Sequence, residues 1–451
     1  MNEIIFWTGV WTNWYSRPIG AYQLSYWLRK HNIESQVIDF CQWYSAEELV
    51  ELTLPFIGEN TKYIGISSTF WNDNNVPENI TQSINFIKKE YPNVKILIGG
   101  PRADNNSCKE VADIILTGES ENKILNLIRG HNISVPFDIT TLEHRFSHKD
   151  CIIDGEVLPI ELGRGCIFKC KFCGHPNLGK PKHTYQRSIR LIEEEIVYNY
   201  ENFKTTHYHF LDDTVNEDTE KIKNLSLIPT HTGIDIRWNG YLRADLIHRY
   251  PETAYQLLES GMRSCFFGIE SFHPSASMKI GKGWSGKNAK NFLPELYKNI
   301  WNKQVNIWAN FIVGLPEESL DDIHETVKWC SDNPIGYFNF VPLSLFKHRT
   351  DSGSVSEFNK NYESYGYSID SKGYWISNHM DQYQAMTISN HINEDLLKIN
   401  RLSSWKLFDS VNCGLSVDKA SNLNARISFF LKDGFFNKIL NPYKEKIKCL
   451  H

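Results

Sequence analysis

Three cysteines within eight residues constrain the fold and chemistry of this chain more than any other sequence feature. Cys166, Cys170 and Cys173 have the spacing C-x3-C-x2-C in the segment RGCIFKCKFCGHP, directly after a strand predicted at Pro159–Gly163. Three thiolates supplied by one loop can hold three irons of a 4Fe–4S cubane. The fourth iron then lacks a protein ligand, so the spacing predicts a cluster with one open coordination position.

The alternative interpretation of this motif is a zinc site in a module without catalytic activity. Structural zinc usually takes four ligands, and His175 could complete a Cys3His set with the three cysteines. The spacing Cys173-x-His175 is unusually tight for such a site, and the position after a strand favours the iron–sulfur cluster.

A series of alternating strands and helices begins near Leu158 and continues to about Leu345. Apolar runs predict six strands, at Pro159–Gly163, His207–Leu211, Asp235–Asn239, Ser264–Ile269, Asn306–Val313 and Tyr337–Leu343. A capping box formed by Ser319 and Asp322 predicts the start of a helix at Leu320–Cys330. Six strand–helix units predict a partial (β/α)6 TIM-like barrel over residues 156–345, with its chemistry at the carboxyl ends of the strands.

The segments on either side of this barrel differ from it and from each other. Residues 1–135 alternate strands such as Tyr63–Ser67 with helices such as Ile19–Lys30, which predicts an α/β domain of doubly wound, Rossmann-like type. Residues 136–155 are predicted to be a linker. Residues 346–451, rich in Asn, Ser, Lys and Tyr, predict a mainly helical C-terminal subdomain of unknown role. Helical stretches are predicted there at Asp381–Ile399 and Ala420–Leu431.

The composition argues against some classes of binding partner and indicates the cellular compartment. The formal net charge of -5 provides no general attraction to phosphate backbones, which argues against a duplex-DNA binder driven by counterion release. The segment MNEIIFWTGVW lacks the basic region of a signal peptide, and no apolar run is long enough to cross a bilayer. We therefore expect a cytoplasmic protein without membrane contact, in which clustered cysteines bind metal rather than form disulfides.

The segment Cys166–Cys173 resembles the signature of the radical S-adenosylmethionine (radical SAM) superfamily. Phe172 stands where that family packs an aromatic residue near the adenine. The resemblance implies that the three cysteines bind a 4Fe–4S cluster whose open iron chelates S-adenosylmethionine (SAM). It further implies reductive cleavage of SAM to a 5′-deoxyadenosyl radical, with a low-potential flavodoxin or ferredoxin as electron donor.

Further segments at the ends of predicted strands resemble SAM-binding positions of the family. The implied cofactor-binding residues are Asp212 and Asp213 in FLDDT, Arg243 in YLRADL, Glu270 and Ser271 in CFFGIES, and Ile312, Gly314 and Glu317 in ANFIVGLPEES. In the last segment, Asn310 replaces the first glycine of the family pattern G-x-I-x-G-x-x-E.

These assignments have structural alternatives. The two adjacent aspartates could cap the next helix. Arg243 could pair with Glu270 instead of reaching the SAM carboxylate. Glu317 could serve the dipole in the first turn of a helix.

The first domain resembles the cobalamin-binding-like domain that precedes the barrel in one large group of radical SAM enzymes. The segments GISST (Gly65–Thr69), IGGPRA (Ile98–Ala103) and DIILTGESE (Asp113–Glu121) look typical of it. In cobalamin domains, a Ser/Thr strand end and a Gly-Gly turn hold the nucleotide tail, because glycine permits close backbone approach.

The first loop departs from that pattern. In YSRPIG, Arg17 stands where some cobalamin domains have a cobalt-ligating histidine, and a guanidinium offers no lone pair to a metal. The domain therefore binds cobalamin without histidine ligation at this position, or it is a scaffold without cobalamin.

Together these features predict a radical SAM enzyme that modifies an unidentified small molecule or nucleotide. Within this class, cobalamin-dependent methylation competes with a cobalamin-free rearrangement, cyclisation or oxidation. A further alternative is a nucleic-acid-modifying enzyme resembling the tRNA methylthiolating enzymes, which bring an RNA-binding domain and typically a second cysteine set. This chain has no second cysteine triplet, and its lysine-rich end is only a modest basic tail.

Overall fold

The computed structural model describes most of the 451 residues. The described residues are 2–9, 16–69, 71, 75–101, 103–132, 137–174, 179–181, 184–333, 335–345, 356–399, 419, 422, 424–425, 428 and 436–450. His175 and most of the helix predicted at Ala420–Leu431 lie outside them. The chain divides into two compact units, one formed by Met1–Ile160, Arg190–Thr205 and Phe430–His451, the other by Glu161–Ile189 and Thr206–Phe429.

A five-stranded parallel sheet lies at the centre of the first unit. Its strands are β1 (Ile4–Trp7), β2 (Ser35–Ile38), β3 (Tyr63–Ser67), β4 (Lys95–Gly99) and β5 (Ile114–Leu116). The helices that follow these strands are α1 (Ile19–Lys30), α2 (Ala46–Thr53), α3 (Glu78–Glu90), α4 (Asn106–Val111) and α5 (Glu121–Arg129). The strand order β2-β1-β3-β4-β5 confirms the predicted doubly wound domain.

A six-stranded sheet carries the second series of elements. Its strands are β6 (Leu158–Ile160), β7 (His207–Phe210), β8 (Arg237–Leu242), β9 (Met262–Glu270), β10 (Asn306–Val313) and β11 (Tyr337–Pro342). The accompanying helices are α6 (Ile189–Phe203), α7 (Thr219–Thr232), α8 (Ala244–Arg249), α9 (Glu252–Glu259), α10 (Pro274–Lys279), α11 (Gly286–Glu295) and α12 (Leu320–Asp332). The order β11-β10-β9-β8-β7-β6, with parallel pairing from β7 to β11, confirms the predicted partial barrel.

The region after the barrel is mainly helical, as predicted, and includes one small hairpin. Its elements are α13 (Glu357–Lys360), β12 (Ser368–Ile369), β13 (Trp375–Ile376), α14 (Gln382–Lys398) and α15 (Asn441–Lys448). In α14, the Asn393 amide accepts a hydrogen bond from the Phe340 N–H (3.0 Å) and donates one to its carbonyl (2.8 Å). This helix therefore covers the edge strand β11 and satisfies backbone groups that would otherwise lack partners.

Candidate active site

An open cavity of about 200 Å³ lies at the carboxyl ends of β8 and β9, next to the cysteine loop. Residues from both the predicted and the unpredicted sets line it: Cys166, Phe168, Cys170, Phe172, Cys173, Asp213, Thr214, Tyr241, Leu242, Arg243, Phe266, Gly268, Glu270 and Lys282. The structure thus brings the three motif cysteines together with four of the predicted SAM-site residues.

The cysteine loop is held by its own backbone. The Cys173 N–H donates to the Cys170 carbonyl (3.1 Å), and the Lys180 N–H donates to the Cys166 carbonyl (3.1 Å). Cys166 is buried, whereas Cys170 and Cys173 are half-buried. This arrangement leaves thiols at the cavity wall, where soft sulfur ligands suit an iron–sulfur cluster. Within the described residues, no three His, Cys, Asp or Glu side chains are gathered into a metal-binding group, so the cluster assignment remains a prediction.

Arg243 is a buried cation in the cavity wall. Its Nε and Nη2 atoms bind both carboxylate oxygens of Asp245 (3.0 and 2.7 Å), and its Nη1 lies 3.4 Å from the sulfur of Cys170. The guanidinium also stacks over Phe168, with its central carbon 4.0 Å from the ring centroid. Arg243 therefore pairs with Asp245 rather than with Glu270, and it places positive charge beside a candidate thiolate.

Glu270 lies at the end of β9 with a left-handed backbone (φ 68°). Its carboxylate pairs with Lys282 at 2.8 Å, and the ammonium of Lys282 lies 5.7 Å from the Phe172 ring centroid. A Cβ atom at Gly268 would come within 2.3 Å of the Glu270 carboxylate and 2.9 Å of the Lys282 ammonium. A side chain at position 268 would therefore displace this ion pair from its place in the cavity.

Asp212 and Asp213 are neighbours in sequence, but their surroundings differ. Asp212 is 3% exposed, accepts the Leu162 N–H (2.8 Å) and pairs with Lys221 (2.8 Å). Asp213 lines the cavity. The cap of the following helix is Asp218, whose side chain accepts the Glu220 N–H (3.1 Å). The capping alternative for the two aspartates is therefore wrong, and Asp213 is the one placed to meet a ligand.

The remaining predicted residues lie outside the cavity lining. Ser271 is buried and donates to the carboxyl group of Glu318. Glu317 is exposed, has a left-handed backbone (φ 67°) and pairs with Lys279. It lies two residues before the N-cap Ser319, so the first-turn alternative does not describe it. Their roles in SAM binding remain predictions.

Ile312 lies near the end of strand β10, and Gly314 directly follows the strand. Ile312 is 8% exposed, and Gly314 has a backbone φ of 95°. A Cβ atom at Gly314 would come within 2.5 Å of the Trp375 ring. The close approach of this ring, together with the positive φ, accounts for glycine at position 314 without any ligand.

Several cavity residues were not predicted from the sequence. They are Phe168, Thr214, Tyr241, Leu242, Phe266, Gly268 and Lys282. Lys282 lies between Gly281 and Gly283, which both have positive φ angles (76° and 71°). A lysine flanked by two glycines twelve positions after Glu270 was the available signal, because such a turn returns the chain towards the strand end.

A second polar group lies at the carboxyl edge of the sheet in the first unit. Ser67 of β3 is in register with Gly99 of β4, and the Ser68 hydroxyl donates to the Gly99 carbonyl (2.8 Å). Gly100 has φ 102°, and a Cβ atom there would lie 2.9 Å from the Ser68 hydroxyl and 3.0 Å from that of Thr69. The glycine pair and the hydroxyl groups thus form a backbone-lined cradle, which a side chain at position 100 would fill.

Arg17 is the centre of a closed hydrogen-bond network in the first unit. It is 1% exposed, and its five N–H groups donate to both Glu156 carboxylate oxygens (2.5 and 2.9 Å), the Tyr22 hydroxyl (2.8 Å) and the carbonyls of Asp150 and Cys151 (both 3.0 Å). A guanidinium has only five N–H donors, so every one is used. Arg17 is therefore committed to the protein interior.

The barrel region matches a known protein family. Residues 160–330 match the model of the radical SAM superfamily. An uncharacterized methyltransferase of Pyrococcus horikoshii is 29% identical over 179 residues, 40% of this chain and 37% of the relative. The bacteriochlorophyllide d C-8(2)-methyltransferase of Chlorobaculum tepidum is 25% identical over 252 residues, 51% of this chain and 54% of the relative. The matches thus span about a third to a half of these relatives.

Two solved structures share the fold over more of the chain. The radical SAM methyltransferase TsrM from Kitasatospora setae, solved with cobalamin and a [4Fe-4S] cluster, is 13% identical with a TM-score of 0.61, covering 80% of this chain and 77% of its own. The cobalamin-dependent radical enzyme OxsB, solved with aqua-cobalamin and SAM, is 14% identical with a TM-score of 0.57, covering 99% and 70%. In the part of the chain that the structure describes, no helix is long and apolar enough to cross a membrane.

Proposed function

We propose that this chain, whose residues 160–330 match the radical SAM superfamily model, is a cobalamin-dependent radical SAM methyltransferase acting on a small organic substrate. The observation that carries this proposal is the pairing of two sites in one chain. One is a barrel cavity that contains three cysteines, and the other is a glycine–hydroxyl cradle in a doubly wound domain. The similarity to the bacteriochlorophyllide d C-8(2)-methyltransferase of Chlorobaculum tepidum favours methylation over a cobalamin-free rearrangement.

Cys166, Cys170 and Cys173 would hold the cluster, and Gly99, Gly100 and the hydroxyl groups beside them would hold cobalamin. When bound, the reduced cluster supplies the electron that cleaves SAM, and cobalamin supplies a carrier for a methyl group. Low-potential reduction requires a donor such as a flavodoxin or ferredoxin, and we expect the protein to act in the cytoplasm.

Different side chains of the cavity would contact different groups of SAM, which is zwitterionic. Asp213 offers a carboxylate to an ammonium group, and the Glu270–Lys282 pair offers polar contacts beyond the end of β9. Arg243, fixed by Asp245, holds positive charge next to the sulfur of Cys170. Tyr241 and Phe266 provide apolar lining that limits water in the cavity.

The cobalamin part of the proposal depends on the open cradle at Gly100. Replacing Gly100 by Val should block close approach of a nucleotide tail, because a Cβ atom would meet the Ser68 and Thr69 hydroxyls. Anaerobic reconstitution with hydroxocobalamin, followed by a count of iron and cobalt, should then give normal iron and at least tenfold less cobalt. Gly20→Ala is the matched control, because its added Cβ meets no atom within 4 Å.

Full cobalt in the Gly100→Val protein would place cobalamin elsewhere, and an absence of cobalt from the wild type would leave the first domain as a scaffold. Electron paramagnetic resonance of the Co(II) form adds an independent readout. Because Arg17 cannot ligate cobalt, we expect no nitrogen superhyperfine splitting from an axial imidazole.

A further inference from the structure

Strand β10 presents two unlike faces. One face is packed against helices and neighbouring strand residues, and its members are at most 1% exposed: Ile307, Ala309, Phe311 and Val313. Side chains alternate along a strand, so the other face points into the barrel. That inner face carries Asn306, Trp308, Asn310 and Ile312. Asn310 thus points inward at the position where the family pattern has glycine.

Asn310 has a partner on the next strand. It is in register with Asn339 of β11, and the Asn339 amide donates to the Asn310 carbonyl oxygen at 3.0 Å. Both residues are half-buried. One hydrogen bond uses only part of the capacity of two amides, so the pair keeps an N–H donor on Asn310 and a carbonyl acceptor on Asn339.

This conclusion does not depend on the assigned orientation of the two amides. If both were rotated by half a turn, Asn310 would donate to Asn339, and the pair would still present one donor and one acceptor. In either case the two groups are complementary to a ligand edge that carries a hydrogen-bond acceptor beside an N–H donor.

The asparagine pair lies on the two strands beyond β9, next to the cavity lining and an aromatic wall. Asn310 is in register with Gly268, which lines the cavity. One step earlier on the same faces, Trp308 is in register with Phe266, and their rings meet edge-on with centroids 5.1 Å apart. Phe266 makes a similar contact with Tyr241 at 5.1 Å. A flat ring bound against this wall would gain the edge-to-face or offset-stacked contacts that aromatic rings favour.

Charge is distributed unevenly around the barrel. The charged groups of the cavity belong to the segments around β7, β8 and β9, namely Asp213, Arg243, Glu270 and Lys282. The inner faces of β10 and β11 carry no carboxylate, ammonium or guanidinium group: Asn306, Trp308, Asn310 and Ile312, then Tyr337, Asn339 and Val341. A zwitterionic cofactor is therefore favoured on one side and an uncharged ligand on the other.

We propose that the Asn310–Asn339 pair binds the substrate, a planar and uncharged conjugated ring with an N–H donor beside an acceptor on one edge. This inference rests on the proposed function and names the substrate class of the same cavity. Both amides are half-buried, so water can satisfy their unused groups in the free protein, and a ligand with a matching edge replaces that water. A site built in this way rejects analogues that lack either group.

The same edge chemistry occurs in the adenine of SAM, so the test must separate the two sources. The probe is 2-pyridone, whose ring presents a carbonyl beside an N–H, and its matched control is N-methyl-2-pyridone, which lacks the donor. Ligand-detected NMR on the full-length holoenzyme should show binding of 2-pyridone about tenfold tighter than that of the control, as expected for one hydrogen bond. Saturating adenosine should leave the 2-pyridone signal in place.

A charge-changing variant tests direct contact. Asn310→Asp removes the donor and presents only acceptors, so it should lose 2-pyridone and instead bind 2-aminopyridinium, which offers two donors. A merely structural role would weaken both probes together. Asn288→Leu, on the exposed surface of α11, should bind as the wild type does.

Equal binding of the two pyridones, no reversal in Asn310→Asp, or displacement of 2-pyridone by adenosine would each overturn the inference. Cleavage of SAM by the wild-type enzyme is measured separately. Lost cleavage with intact probe binding would contradict the proposed function alone, whereas cleavage without selective probe binding would contradict only this inference.

Discussion

Two buried arginines show how the two units of the molecule differ. Arg17 in the first unit is 1% exposed, and all five of its N–H groups donate to protein acceptors. Arg243 in the second unit is 7% exposed, but it lines a cavity and directs one nitrogen towards the sulfur of Cys170. The hydrogen-bond donors of Arg17 are therefore all used within the folded domain, whereas Arg243 faces a space in which a ligand can bind.

The contrast shows that burial of a charge does not identify a functional residue. A completely satisfied network, such as that of Arg17 with Glu156, Tyr22 and two carbonyls, contributes to the integrity of its domain. A buried charge with remaining capacity towards a cavity is a better candidate for chemistry. The following predictions test this difference.

The largest expected effect is on the stability of the first unit. Arg17→Met leaves the carboxylate of Glu156 buried without its cation, which should lower the free energy of unfolding by about 3–5 kcal/mol. Urea denaturation followed by circular dichroism measures the change. The double variant Arg17→Met/Glu156→Leu should recover part of the loss, because no unpaired charge remains. A loss of less than about 1 kcal/mol in the single variant would show that the network is dispensable.

The matching change in the second unit should affect binding more than stability. Arg243→Lys removes the bidentate ion pair with Asp245 and the stacking on Phe168. Because these contacts hold the cation in the cavity wall, the Kd for SAM should rise about tenfold. Equilibrium dialysis of SAM against reconstituted protein measures this. Arg263→Lys is the control, since Arg263 donates to the carbonyls of Leu258 and Met262 and does not line the cavity. An equal effect in both variants would remove the distinction between the two arginines.

Local patterns in the sequence predicted the elements well, but not which side chains meet. The helix Ile19–Lys30 and the strand Tyr63–Ser67 have the predicted bounds, because apolar periodicity is a local property. By the same pattern the run Val111–Leu116 is predicted as one strand, but the strand begins only at Ile114, since Val111 ends α4, which the Asn105 side chain caps. A single cap was enough to convert the start of an apolar run into helix.

The sequence did not predict which site residues contact each other, because their partners lie far away along the chain. Arg17 reaches Glu156, which lies 139 positions away, so no local pattern could reveal that its guanidinium is fully used. Asp212 and Asp213 are identical in type, and only the tertiary position of Lys221 separates the structural residue from the cavity residue. Lys282 belongs to a loop between two helices, where periodicity carries no signal.

A smaller effect is expected at the Glu270–Lys282 pair. Lys282→Met removes the cation that positions the Glu270 carboxylate, so SAM should bind about threefold to tenfold more weakly. The control is Lys398→Met, which breaks the exposed pair with Asp395 far along α14. Two results would show that the pair does not act on the cofactor site. One is weaker SAM binding in the control, and the other is unchanged SAM binding in Lys282→Met.

The last prediction concerns the pH dependence of stability near Ser271. Burial raises the pKa of Glu318 to about 8, so between the unfolded pKa and pH 8 the native state holds a proton that the unfolded state has lost. Stability should therefore fall as pH rises through this range, by at most about 1.4 kcal/mol per pH unit from this group. Thermal unfolding of Glu318→Gln should show a flatter profile. An unchanged slope in the variant would contradict this assignment.

The most direct test of the account is whether the three cavity cysteines are the centre of SAM cleavage. Iron content and conversion of SAM to 5′-deoxyadenosine or S-adenosylhomocysteine are measured together, in reduced anaerobic protein, for the wild type, for Cys166→Ala, Cys170→Ala and Cys173→Ala, and for Cys449→Ser. Cys449 is exposed and lies outside the motif, so this variant should match the wild type in iron and turnover. Each motif variant should lose both. Retention of iron and turnover in any motif variant, or zinc without iron in the wild type, would contradict the account.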